Sequence, residues 1–133
     1  MFDYEMRVRL QHTDAAGVVF FSEQFALAHA AYEAYLASQQ LPLEQFIDEG
    51  EVHLPIIHAD ADFQAPLRLG DRLHLQLRSD RVGDSSFALA TRIIRADDGT
   101  VTSEITTVHV AVDSEAREKV ALPDRLRAVI EGL

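Results

Sequence analysis

One segment of this chain reads as a long helix, and nearly everything after it alternates as strand. From about Ser22 to Gln40 the sequence is rich in Ala, Leu, Glu and Gln, and Phe25, His29, Tyr32 and Leu36 recur at +4, +7 and +11 along one helical face. Pro42 is expected to end that helix, and Leu43–Gly50 to form a short second one. Ahead of the helix, Phe2, Tyr4, Met6, Val8 and Leu10 alternate with polar residues, the period of a half-buried strand. Behind it come Leu54–Phe63, a strand on Leu73, Leu75 and Leu77, then Phe87–Arg95 and the β-branched Val101–Val112. Leu67–Asp71, Gly83-Asp84-Ser85 and Asp98-Gly99 supply the turns, and a short amphipathic helix follows Pro123. The order β-α-β-β-β-β leaves one solution, an α+β fold with the long helix packed on a five-stranded antiparallel sheet. One helix only partly covers such a sheet, so dimerisation by extending the sheet is expected.

With 133 residues, 47% of them apolar, the chain suits a single domain over residues 1–133 with a real core. No apolar run reaches the ~18 residues of a membrane span, and the N-terminus does not read as a signal peptide. The absence of cysteine removes thiolate chemistry and fits the cytoplasm. A net charge of −10 argues against nucleic acid as partner. That charge is segregated: residues 10–67 hold nine acids and no Lys or Arg, whereas 68–95 hold six arginines against three acids. Those arginines either solvate an exposed face or form a landing site for a phosphorylated ligand.

Chemistry concentrates in His12-Thr13-Asp14-Ala15-Ala16-Gly17-Val18-Val19-Phe20-Phe21, where an acid leads through a small-residue turn into the helix. The first amides of a helix lack internal partners, and with the dipole they favour developing negative charge. A carboxylate held beside them can attack a carbonyl or activate water. The plainer reading is that Asp14 closes an Asx turn and Gly17 supplies a positive φ. His29 and Glu33 stand one helical turn apart, either as a polar seam or as a substrate-binding pair. His58 shares its predicted strand face with Ile56, Asp60 and Asp62, which is either a solvated face or part of a site. No HExxH, GxSxG, P-loop or GxGxxG occurs, so no metal is expected.

The Asp14 stretch resembles the signature of hot-dog-fold acyl-CoA thioesterases of the 4-hydroxybenzoyl-CoA thioesterase family. So do the Pro55–Phe63 strand and the Ala65–Asp71 turn. Asp-Ala-Ala-Gly-Val-Val with two aromatics, His29–Glu33 and Pro-Ile-Ile-His-Ala are most similar to the branch acting on 1,4-dihydroxy-2-naphthoyl-CoA in phylloquinone and menaquinone synthesis. The resemblance implies Asp14 as nucleophile or general base and the Phe21 backbone N–H as oxyanion donor. It places His29 at the ring hydroxyl, supported by Glu33, with Gly17 and His58 nearby. Phe21, where relatives acting on aliphatic acyl groups often have His, favours an aromatic acyl group. His12 departs from the family's usual Asp-x-Asp. A polyanionic CoA substrate makes Arg68, Arg78, Arg81, Arg92 and Arg95 candidates for its phosphates. No cofactor is implied, and the implied assembly is a homotetramer, a dimer of dimers with sites at subunit interfaces. Three alternatives stay open: a thioesterase for 4-hydroxybenzoyl-CoA or a broad range of acyl-CoAs, Glu33 as the catalytic base, and a non-catalytic acyl-CoA-binding protein.

Overall fold

In the computed structural model, which describes residues 1–133, the strand β1 (Phe2–Arg7) leads through a 3-10 turn (Leu10–His12) into the helix α1 (Phe21–Ser38). Then follow α2 (Leu43–Glu49), β2 (Val52–His53), β3 (Ile56–Phe63), β4 (Arg72–Val82), β5 (Ser86–Arg95), β6 (Val101–Val110), β7 (Val112–Asp113) and α3 (Asp124–Glu131). Five strands form one sheet in the order β1-β4-β5-β6-β3, every pairing antiparallel. The hot-dog arrangement and the α+β class are thus as expected. β2 and β7 make a separate two-stranded ribbon.

Alternation explains why α1 lies where it does. Leu73, Leu75 and Leu77 are fully buried and stand opposite Met6, Tyr4 and Phe2 on one side and Arg95, Ile93 and Thr91 on the other. This leucine row meets Leu27, Ala28 and Ala31 near the start of α1, and Tyr32, Tyr35 and Leu36 near its end. Truncating one such leucine to alanine costs about 2–5 kcal/mol. α3 closes the far end, where the Tyr35 hydroxyl donates to the Val129 carbonyl at 2.6 Å.

Four departures from the sequence reading matter. The first strand loses its alternation after Val8, whose amide and carbonyl bond Asp71 and Gly70, and the chain then turns away. Leu10, expected inward, is consequently 73% exposed. α1 ends at Ser38, before Pro42. Gln40 takes φ +61, its amide bonds the Ala37 carbonyl, and the Leu41 amide reaches Leu36. This is a Schellman closure with glutamine in the left-handed position, and Leu41 packs into the core beside Leu36. Pro42 instead begins α2 as its N-cap. The last long strand breaks at Ala111. Finally, β3 carries a bulge between Ile56 and His58, so that Ile56 opposes His109 while His58 opposes Val108. Because side chains alternate with period two, the extra residue Ile57 puts Ile56 and His58 on opposite faces.

Candidate active site

The Asp14 loop is a small ribbon built against a second turn. The Asp14 amide donates to the Val18 carbonyl at 2.9 Å, and the Phe20 amide to the His12 carbonyl at 3.0 Å. Asp14-Ala15-Ala16-Gly17 closes it, with the Gly17 amide on the Asp14 carbonyl and Gly17 at φ +78, where a Cβ would be strained. Asp14 Oδ1 accepts the Ala16 amide at 2.8 Å, so the Asx turn exists. Oδ2 makes no hydrogen bond, and the side chain is exposed. One carboxylate oxygen is therefore fixed while the other faces solvent unengaged.

The outer strand of this ribbon pairs with residues 67–69. The Val19 amide bonds the Leu67 carbonyl at 2.8 Å, Leu69 bonds Gly17 at 3.2 Å, and Val18 directly opposes Arg68. Since opposed residues share a face, Asp14, Val18 and Arg68 form one row toward solvent, while Val19 and Leu67 are buried behind it. The Arg68 backbone is held by Asp71, whose Oδ2 accepts its amide at 2.8 Å. Its guanidinium makes no ion pair, unlike those of Arg72, Arg78, Arg92 and Arg95.

α1 follows the ribbon directly. Its N-cap, Phe20, offers no side-chain oxygen to the first turn, so the positive pole of an 18-residue helix opens beside the loop. The Phe20 and Phe21 rings, 4.9 Å apart and largely exposed, form an apolar lip there. His12 is buried and accepts the Arg9 amide at Nδ1, 2.9 Å away. It caps the 3-10 turn and hydrogen-bonds the loop through its backbone carbonyl.

Between α1 and the sheet lies a cavity of about 100 Å³. Phe25, His29 and Tyr32 line it from the helix, Ile56 and Ala59 from β3, and Thr91, Thr107 and His109 from the sheet. His29 and Glu33 do pair, Nδ1 to Oε1 at 3.2 Å, and the His29 ring meets Tyr32 edge-on at 5.4 Å. His109 was not singled out by the sequence. It is 1% exposed, stacks parallel on Phe87 at 4.8 Å, and holds Thr107 Oγ1 at 2.9 Å through Nε2. Burial, reinforced by the charge of His29, pushes its pKa down to about 4, so the ring is neutral near neutrality. Burial and then the negative Glu33 raise the Tyr32 phenol, which also stays neutral. The one available signal was the alternation Ile105, Thr107, His109, which puts His109 on an inward strand face.

Other candidates are not brought to this cavity. The Ile57 bulge turns His58 to the back of the sheet, where it is exposed and bonds Asp60 at 3.0 Å. Arg78 and Arg92 occupy the same back face, paired with Asp80 at 3.6 Å and Glu104 at 3.0 Å. Arg81 joins them there, opposite Ala88, and reaches Ser86 Oγ at 3.5 Å. Arg95 closes a hairpin, binding Asp98 at 2.8 Å and the Pro66 carbonyl at 2.8 Å. The arginine window is thus three places, and only Arg68 adjoins the Asp14 loop.

Comparison with known proteins identifies the family. The Thioesterase-like superfamily model matches residues 8–130. A 1,4-dihydroxy-2-naphthoyl-CoA hydrolase of Synechococcus elongatus is 37% identical over 130 residues, 96% of this chain and 94% of that protein. The crystal structure of a 1,4-dihydroxy-2-naphthoyl-CoA thioesterase from Synechocystis superposes with a TM-score of 0.94 at 36% identity, covering 99% of this chain and 96% of that one. A gentisyl-coenzyme A thioesterase structure gives a TM-score of 0.83 at 26% identity, covering 97% and 98%. Matched over nearly its whole length in both sequence and architecture, the chain belongs to the Thioesterase-like superfamily and carries its hot-dog fold.

Proposed function

We propose that this chain hydrolyses 1,4-dihydroxy-2-naphthoyl-CoA to the free acid and CoA, a step of menaquinone and phylloquinone synthesis, in the cytoplasm where CoA thioesters are made. The observation that carries the reading is the free Oδ2 of Asp14, held in a ribbon that runs straight into the uncapped start of α1. In this reading the Phe21 amide receives the oxyanion as Asp14 attacks the thioester carbon or draws a proton from a water that attacks it. Collapse of the tetrahedral species breaks the C–S bond, and CoA leaves as thiolate to take up a proton. After direct attack a mixed anhydride remains, which water hydrolyses to regenerate the carboxylate. No metal or cofactor is required. Gly17 keeps the turn that presents Asp14. Glu33 orients His29, which contacts the acyl group at the cavity mouth. Arg68, beside the loop and unpaired, is the arginine best placed for a CoA phosphate.

The assembly proposed is a dimer of dimers. β3 is an edge strand whose other side pairs with nothing, and Ile57 and Phe63 on it are 60% and 48% exposed. Pairing two such edges makes one continuous sheet and puts the Ile56 and Ala59 wall of the cavity at a subunit boundary. Thiol release from the naphthoyl substrate tests the chemistry. Asp14→Asn should lose at least about 10³-fold in kcat while still binding substrate, and Glu33→Gln about tenfold. The reverse ranking would move the base to α1, and no release from any aryl- or alkanoyl-CoA would leave a binding protein.

A further inference from the structure

Four buried side-chain atoms have no hydrogen-bond partner in this structure: Gln24 Oε1, Tyr32 Oη, Ser103 Oγ and His109 Nδ1. Two of them, Tyr32 Oη and His109 Nδ1, belong to residues that line the same cavity, their rings 4.8 Å apart. Both residues are almost wholly buried, at 3% and 1% exposure. A polar atom left unpaired at such depth lowers stability, so two on residues that wall one cavity mark it as the place for a guest.

Their chemistry says which guest. Tyr32 presents an O–H donor. His109 is neutral with Nε2 engaged by Thr107, so Nδ1 presents either a lone pair or an N–H, according to which way the Thr107 hydroxyl turns. No charged side chain lines the cavity apart from His29 at its rim, itself paired with Glu33. A carboxylate or ammonium group entering there would lose its hydration without a counter-charge, whereas a hydroxyl donates and accepts in turn. The cavity of about 100 Å³ is smaller than the roughly 150 Å³ that holds benzene. It therefore takes the hydroxylated edge of an aryl group, with the rest of the ring lying against Phe25 and Ile56. A hydroxyl adjacent to the thioester bonds its own carbonyl, so the hydroxyl at the far side of the ring is the one left to be recognised.

We infer that Tyr32 and His109 are specificity residues that together hydrogen-bond the distal ring hydroxyl of a hydroxyaryl acyl group. The inference rests on the thioesterase reading above and goes beyond it in naming the hydroxyl and its partners. The test compares 1,4-dihydroxy-2-naphthoyl-CoA with 1-hydroxy-2-naphthoyl-CoA in wild type, Tyr32→Phe and His109→Gln. Glutamine keeps an amide near the Nε2 position and deletes Nδ1. Each variant should cut the wild-type preference for the dihydroxy substrate, the ratio of the two kcat/KM values, about tenfold. Dissociation constants of the two free acids, measured by calorimetry, should show the same loss without any turnover. Tyr32→Phe removes a hydroxyl with nothing bonded to it, so its melting temperature should equal or exceed that of wild type. An undiminished preference in both variants, or a clear drop in melting temperature for Tyr32→Phe, overturns the inference. Failure of the wild-type protein to release thiol from either thioester overturns the thioesterase reading instead, and the acid-binding comparison then decides this one.

Discussion

Acidification should destabilise this protein through one histidine. His109 has a folded-state pKa of about 4 because its ring lies among Phe87, Tyr32 and the underside of α1, with His29 adding positive charge when protonated. An unfolded histidine has a pKa near 6.5. Between those values the unfolded chain binds the proton that the native state refuses, so stability rises with pH across that window and is complete above it. Falling from pH 7.5 to 4.5 therefore removes about 2–3 kcal/mol through this residue, at 1.36 kcal/mol for each tenfold difference in proton affinity. That is a large fraction of the roughly 5–15 kcal/mol that holds a domain folded. Urea unfolding at both pH values gives the free energies directly, and His109→Gln, which cannot titrate, is the reference. The loss between pH 7.5 and 4.5 should be smaller by about that amount in the variant, whatever the other groups contribute to both proteins. Parallel pH dependence in the two proteins would refute the burial argument.

Arg68→Ala should raise KM for a CoA thioester about fivefold, less at high salt, and leave KM unchanged for a short pantetheine thioester without the nucleotide. Arg95→Ala should leave both KM values alone and lower the melting temperature, because Arg95 is already committed to Asp98 and Pro66. Ile57→Asp, placed on the exposed β3 edge, should reduce the mass measured by sedimentation equilibrium. Activity should fall with it, and an unchanged mass would reject that edge as the subunit contact.

Why the fold was largely legible is visible in particular residues. Leu73, Leu75 and Leu77 alternate because one face of β4 meets α1, and the alanines of α1 leave room for that sheet. The Asp14 turn was legible because Gly17 takes the positive φ its position invites. Gln40 takes the same region without a glycine's freedom, held by the burial of Leu36 and Leu41, and no local residue preference signals that. Ile57 is a good strand former whether or not it bulges, so the face of His58 could only come from the pairing with β6. His109 stayed hidden because a strand of threonines and valines does not say which of its faces is dry. The arginines clustered in sequence, but β4 and β5 carry Arg78, Arg81 and Arg92 to one side while the 67–71 turn carries Arg68 elsewhere.

The bulge at Ile57 also makes β3 a strand with two independent vocabularies. Ile56, Ala59 and Ala61 are spelled toward α1, His58, Asp60 and Asp62 toward the opposite surface, and the phase between the two sets is held by a single backbone residue. Substitutions at 56 or 59 can retune what the cavity accepts without rewriting the back of the sheet, and changes at 58, 60 or 62 can retune what packs there without touching the cavity. Because the phase depends on Ile57 being looped out, deleting it would keep Ile56 opposite His109 and His58 opposite Val108 in a regular ladder, whereas drawing it into the ladder would turn Ile56 away from the cavity.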